Sequence, residues 1–172
     1  MKTTRHYAIN TLFAKLGQMA LGHLDENTLE VVMTNFEALR KVADDFESLK
    51  KELFKRIYGD SEKMTEEEKK RINDFFSMLG KIKGENVETV KVAYPDLYAM
   101  REKEVKVIVS LLNKEIEVDI TPMNENAFVK GVLKGNKTMN AREVSATFAP
   151  MFEVAESEDE ADYSELDELL ND

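Results

Sequence analysis

The chain has no cysteine in its 172 residues, which excludes a disulfide framework and any thiolate metal site. Histidine is almost as scarce. His6 and His23 sit near the two ends of the first expected helix, and neither has another histidine three or four residues away, so no local metal pair forms. Only three prolines interrupt a composition that is 34% charged, a balance typical of helix-rich proteins. No apolar run approaches the length of a membrane span. The basic start, Met1-Lys2-Thr3-Thr4-Arg5, is followed by Asn10, Lys15 and Gln18, which break up any signal-peptide core. These absences lead to the expectation of a cytoplasmic chain with no membrane association and no cofactor.

Positive charge is missing from one region altogether. Residues 153–172 hold ten of the chain's 34 acidic residues and none of its 24 basic ones, so the net charge of −10 belongs to an acidic tail on an electrically balanced body. Glu153 to Glu160 has the marks of a solvated spacer. Beyond it, Tyr163, Leu166, Leu169 and Leu170 recur at helical spacing, with Asp162 and Glu165 among the flanking acids. Asp162 or Ser164 would cap such a helix and the early acids would suit its dipole. Asp162, Tyr163, Glu165, Leu166, Leu169 and Leu170 are therefore the candidate partner-binding residues, through an amphipathic helix that docks in a groove of a partner or of the chain's own body; a solubilising tail and one that competes with phosphate for a basic groove are the alternatives.

The body opens with apolar residues at three- and four-residue spacing, Ile9, Leu12, Phe13, Leu16, Met19 and Ala20, which predicts a helix from Arg5 to Leu21. A second helix begins near Asp25 or Asn27 and runs to Tyr58, where Gly59-Asp60-Ser61 breaks it. Two caps compete at its start: Asn27 with Glu30 has capping-box spacing, whereas Leu24 and Leu29 suit a hydrophobic staple around Asp25. Its seam of Leu29, Val32, Phe36, Leu39, Ala43, Phe46, Leu53 and Ile57 has coiled-coil periodicity, widened by Val42 and Leu49. Thr65 with Glu68 forms a further capping box before a third helix bearing Ile72, Phe75, Phe76, Leu79 and Ile82. Two arrangements cover the long seam: an intramolecular bundle, or a homo-oligomer through the long helix.

From about residue 105 the apolar period changes to two. Val105, Val107, Val109 and Leu111 alternate with polar or opposite-face residues, as do Ile116, Val118 and Ile120. A turn at Asn113-Lys114 would pair Leu111 with Ile116, Val109 with Val118 and Val107 with Ile120 in a consistent hairpin register. The competing reading makes Leu97 to Leu112 a helix capped by Asp96, against which the β-branched run argues. A strand is also expected around Thr89 to Tyr94, then short helices over Glu125 to Leu133 and Asn140 to Phe148. The fold class expected is α+β and mostly helical: a long-helix bundle over 1–84, a small antiparallel hairpin or sheet with short helices over 85–152, and the acidic tail over 153–172.

Reactive motifs fail on spacing. Gly131 to Thr138 carries glycines, a lysine and a threonine in the order of a phosphate loop, but Asn136 separates Gly135 from Lys137, and the run of backbone N–H groups that would surround a phosphate is broken. Glu66, Glu67 and Glu68 favour a helix N-terminus rather than acid–base chemistry. Glu158 to Asp162 lacks the alternating ligands and central glycine of a calcium loop. Basic clusters such as Lys69-Lys70-Arg71 are interleaved with acids, so direct nucleic-acid binding is not expected.

The stretch Glu115-Ile116-Glu117-Val118-Asp119-Ile120-Thr121-Pro122, continuing through Phe128-Val129-Lys130-Gly131-Val132-Leu133, resembles small phage- and prophage-encoded proteins of uncharacterised function. The resemblance covers about a third of the chain and implies a viral or mobile-element setting, with no functional residue carried over. The expected function is a non-enzymatic protein-interaction, assembly or regulatory role with a protein partner. A nucleic-acid-associated or nucleic-acid-mimicking regulator, such as a host-directed inhibitor, is one alternative. An enzyme whose active site carries no recognisable motif is the other.

Overall fold

The structure is a computed structural model and describes residues 1–81 and 87–153. Those residues are mostly helical, with a two-stranded antiparallel sheet. In chain order they form β1 (Lys2–Thr4), α1 (Arg5–Tyr7), a π-helical segment (Ala8–Phe13), α2 (Ala14–Gln18), α3 (Glu26–Tyr58) and α4 (Glu66–Lys81). There follow α5 (Val87–Ala93), α6 (Pro95–Asn113), β2 (Glu115–Glu117), α7 (Glu125–Gly135), α8 (Ala141–Phe148) and a 3₁₀ turn (Ala149–Met151). The described residues fall into two compact units, each discontinuous in sequence: one holds Met1, 15–37 and 119–153, the other holds 2–14, 38–81 and 87–118.

Local caps set several helix boundaries. Asp25 accepts the backbone N–H of Thr28 at 2.9 Å and its hydroxyl at 2.7 Å, which settles the start of α3 in favour of Asp25 over Asn27. Those two bonds hold the Asp25 carboxyl below its ordinary range. The Thr65–Glu68 box closes as expected, with Glu68 N–H donating to Thr65 Oγ1 at 3.2 Å and Thr65 N–H donating to Glu68 Oε2 at 2.8 Å. Gly59, at φ 103°, takes the left-handed turn that ends α3. Asn124 and Asn140 cap α7 and α8 by accepting the N–H groups of Ala127 and Glu143. The first helix departs from its expected course: it stops at Gln18 rather than Leu21, and a six-residue π turn occupies its middle.

Within the first unit, Leu16, Leu24, Val32, Met123, Phe128, Val132, Val144, Phe148 and Met151 are buried. Phe128 meets Phe148 edge-on, their centroids 5.2 Å apart. Two asparagines absent from the expected core hold backbone here. Asn35 is fully buried between Val32 and Leu39 on α3; its amide accepts the N–H of Thr121 and donates to the C=O of Thr121, both at 2.8 Å. Asn136, the residue that breaks the apparent phosphate loop, does the same to Ala20, accepting its N–H and donating to its C=O at 3.0 Å each. Gly135 allows this approach, because a Cβ there would lie 2.8 Å from Ala20 O.

In the second unit, α4 folds back so that Phe76 meets Phe54 and Tyr58 of α3, with centroids 5.9 and 5.4 Å apart. Tyr58, Phe75, Val90 and Leu97 form its buried centre, one each from α3, α4, α5 and α6. Of the expected α3 seam, Val32, Leu39 and Phe46 are buried, but Leu49 is 40% exposed. Asp44 and Asp45 face solvent, as their positions in the pattern required.

The hairpin over Val105 to Ile120 does not form. Residues 95–113 are a single helix, α6, and the strand expected at Thr89 to Tyr94 is the helix α5 and its C-terminal flank. Ile116 pairs instead with Thr3, and Lys2 and Thr4 lie opposite Glu117 and Glu115. Three features outweigh the β-preference of the valines. Pro95 supplies a helical φ at the first position of α6. Arg5 donates to the C=O of Leu111 at 2.7 Å, placing a cation at the helix C-terminus. Leu97 and Glu104, seven residues apart, turn inward together.

Replacing Asn35 by Ala removes a fully buried amide and leaves the N–H and C=O of the exposed Thr121 to water, at a cost of about 1 kcal/mol. Denaturant unfolding should show a lower midpoint for Asn35→Ala with little change in slope. A midpoint equal to that of the unsubstituted chain would contradict the role given to this clamp.

Candidate functional site

The candidate partner-binding residues Asp162, Tyr163, Glu165, Leu166, Leu169 and Leu170 lie outside the described residues. Among the described residues, a pair of exposed apolar side chains lies on α6, within the second unit. Its inward side carries Leu97 and Glu104, while Val105 and Val109, one turn apart, are 41% and 49% exposed. Beside them is an open groove of about 470 Å³ lined by Leu79 of α4, Val87 of α5, and Tyr98, Arg101, Glu102, Val105 and Lys106 of α6.

A buried polar cluster sets which side of α6 faces the groove. The hydroxyl of Tyr58 donates to Glu104 Oε2 at 2.9 Å, and Arg101 Nη1 donates to the same oxygen at 2.7 Å. Burial first, and then its bond to Glu104, push the Tyr58 phenol far above its ordinary range, so it stays a donor. Arg101 thus serves two surfaces, anchoring Glu104 inside and lining the groove outside. Tyr98 forms the aromatic part of the wall, with Lys91 Nζ 5.9 Å from its ring centroid.

A second hollow in the same unit, of about 220 Å³, lies among Tyr58, Met64, Glu68, Arg71, Ile72, Asp96, Leu97 and Met100. In the competing reading of Leu97 to Leu112 as a helix, Asp96 is the cap. It lies one residue inside instead, and Arg71 donates to both its oxygens, at 2.8 and 2.7 Å. That bidentate bond lowers the Asp96 carboxyl to about 2, with a smaller contribution from the N–H of Leu97. The pair ties α4 to α6 beside the hollow.

Among the described residues no group of histidine and carboxylate side chains could hold a metal ion, and no helix is long and apolar enough to cross a membrane. His6 lies in α1, and His23 packs beside Gly135. The groove is not legible in the sequence because its walls come from three helices, two of which carry strand-like patterns. Val105 and Val109 fit a period of two as well as the i, i+4 spacing of a helix. No protein-family model matches the chain, and comparison with curated proteins and with solved structures found no match.

The Arg71–Asp96 pair gives a pH-dependent prediction. Asp96 binds its proton less readily when folded, so the stability it lends is full above the ordinary value of 3.8 and is lost as pH falls from there through about 2. Both side chains are about half exposed, so the effect should be less than about 1 kcal/mol. Carbon-13 titration of the Asp96 carboxyl should give a midpoint near 2 that returns towards 3.8 in Arg71→Gln. A midpoint unmoved by that substitution would rule out Arg71 as the cause.

Proposed function

We propose that this chain is a non-enzymatic protein-interaction protein, in which the helical body is the scaffold and the acidic segment Asp162 to Leu170 is a contact element. The observation that carries the reading is the exposed apolar face of α6, where Val105 and Val109 border an open groove. With the apolar walls of the groove the two valines form a contiguous exposed patch, and contact surfaces are built from such patches. The segregation of charge supports it: the last twenty residues combine ten acids with Tyr163, Leu166, Leu169 and Leu170 and contain no base. Such a segment suits docking of a short helix through its apolar side, with acids selecting the partner and speeding encounter. The resemblance of residues 115–122 and 128–133 to phage- and prophage-encoded proteins favours assembly or host-directed regulation over metabolism.

Leu166→Asp combined with Leu169→Asp keeps the length and acidity of the tail and removes its apolar side. The full-length variant should keep the circular dichroism of the unsubstituted protein and lose captured protein partners by tenfold or more. Capture of the same partners at the same yield by both proteins would overturn this role for the segment.

A further inference from the structure

We infer that the groove beside α6 is a receptor for this chain's own segment Asp162 to Leu170. The inference deepens the reading above, on which it rests, by naming a surface that recognises the contact element and would hold it back from other partners.

Shape and apolar character agree first. The groove is walled by Leu79, Val87, Tyr98 and Val105, and the exposed Val109 extends its apolar edge by one helical turn. From Tyr98 to Val109 the axis of α6 advances roughly 16 Å, and the nine residues of the segment in a helix would span roughly 13 Å. Tyr163, Leu166, Leu169 and Leu170 recur at the three- and four-residue spacing that helix-in-groove recognition uses. The other exposed large apolar residues on α6, α5 and α3 are Met100, Val92, Met33 and Leu49, and none of them lines this groove.

Charge agrees second. Lys106 lines the groove and Lys91 stands over the Tyr98 ring, and neither is in an ion pair among the described residues. Arg101 adds a third cation, although its guanidinium is engaged by Glu104. Glu102 is the opposing acid in the lining. The segment brings Asp162, Glu165, Asp167 and Glu168 and no base. An apolar floor with Lys106 in its lining and Lys91 over the Tyr98 ring favours an acidic amphipathic helix over a basic or neutral one.

The consequence is self-sheltering. A partner that takes the segment must compete with the groove, so its apparent affinity falls by the fraction of segments already held.

The test uses a fluorescent peptide of residues 160–172, titrated into full-length protein carrying Leu166→Asp and Leu169→Asp, whose own segment cannot compete. Saturable binding is expected, weakened tenfold or more by adding Val105→Asp to the protein and weakened also by Lys106→Glu and by added salt. Both positions are exposed, so these substitutions should leave the fold intact, and circular dichroism checks this. The inference is overturned if the peptide does not bind, or binds both groove variants as well as their parent. It is equally overturned if Val109→Asp abolishes a concentration-dependent dimer while the peptide fails to bind, since the occupant would then be a second copy of the α6 face. Tail-dependent partner capture without peptide binding would remove this inference and leave the proposed function standing.

Discussion

The hydroxyl of Tyr58, at the end of α3, donates to one oxygen of Glu104 on α6, and this bond between helices governs the rotation of α6; Arg101, on α6 itself, donates to the same oxygen. Glu104 is a buried residue, and its carboxyl group is costly to bury unless its acceptor sites are satisfied, so the helix adopts the rotation in which Tyr58 reaches it, with Arg101 of the same helix as the second donor. Glu104 then points inward with Leu97, and Val105, the next residue, is turned by about 100° towards solvent. The outward face of α6, and with it the groove, follows from an interaction on its inner side. Tyr58 is also the last residue of α3 and sits among Phe54, Phe76 and Leu97, so the same side chain joins the polar contact to the apolar centre of its unit.

The other unit uses a different device. Asn35 and Asn136 each present an amide to the N–H and C=O of a single residue, as a neighbouring strand would, and so satisfy backbone that belongs to no sheet. Asn124 and Asn140 add helix caps. Hydrogen bonds of this kind contribute little net stability individually but are costly to break when buried, and they fix register where apolar packing alone would permit slippage.

Legibility in the sequence followed the range of the interaction. Asp25, Thr65 with Glu68, and the ends of α7 and α8 were readable because a cap and its helix lie within a few residues of each other. The long helix was readable because its apolar pattern persists for many turns. Val105 to Leu111 misled because alternation by two and the i, i+4 pair of a helix share positions 105 and 109, and because the deciding partners, Tyr58 and Arg5, are remote in sequence. The hairpin register was self-consistent, yet Ile116 found Thr3, from the other end of the body. Asn35 gave no signal, since a polar residue within an apolar seam reads as a defect until its partner is known. For the same reason the acidic segment could be found from composition, whereas a groove walled by Leu79, Val87 and Tyr98 could not.

A double-mutant cycle between Tyr58→Phe and Glu104→Leu, measured by denaturant unfolding, tests the dependence of α6 on its buried contact most directly. Each single substitution disturbs the same hydrogen bond, so the account predicts that the double variant loses less stability than the sum of the two, by about 1 kcal/mol or more. Losses that add to within about 0.5 kcal/mol would show the two side chains acting independently, and the buried contact would then not be what orients the helix.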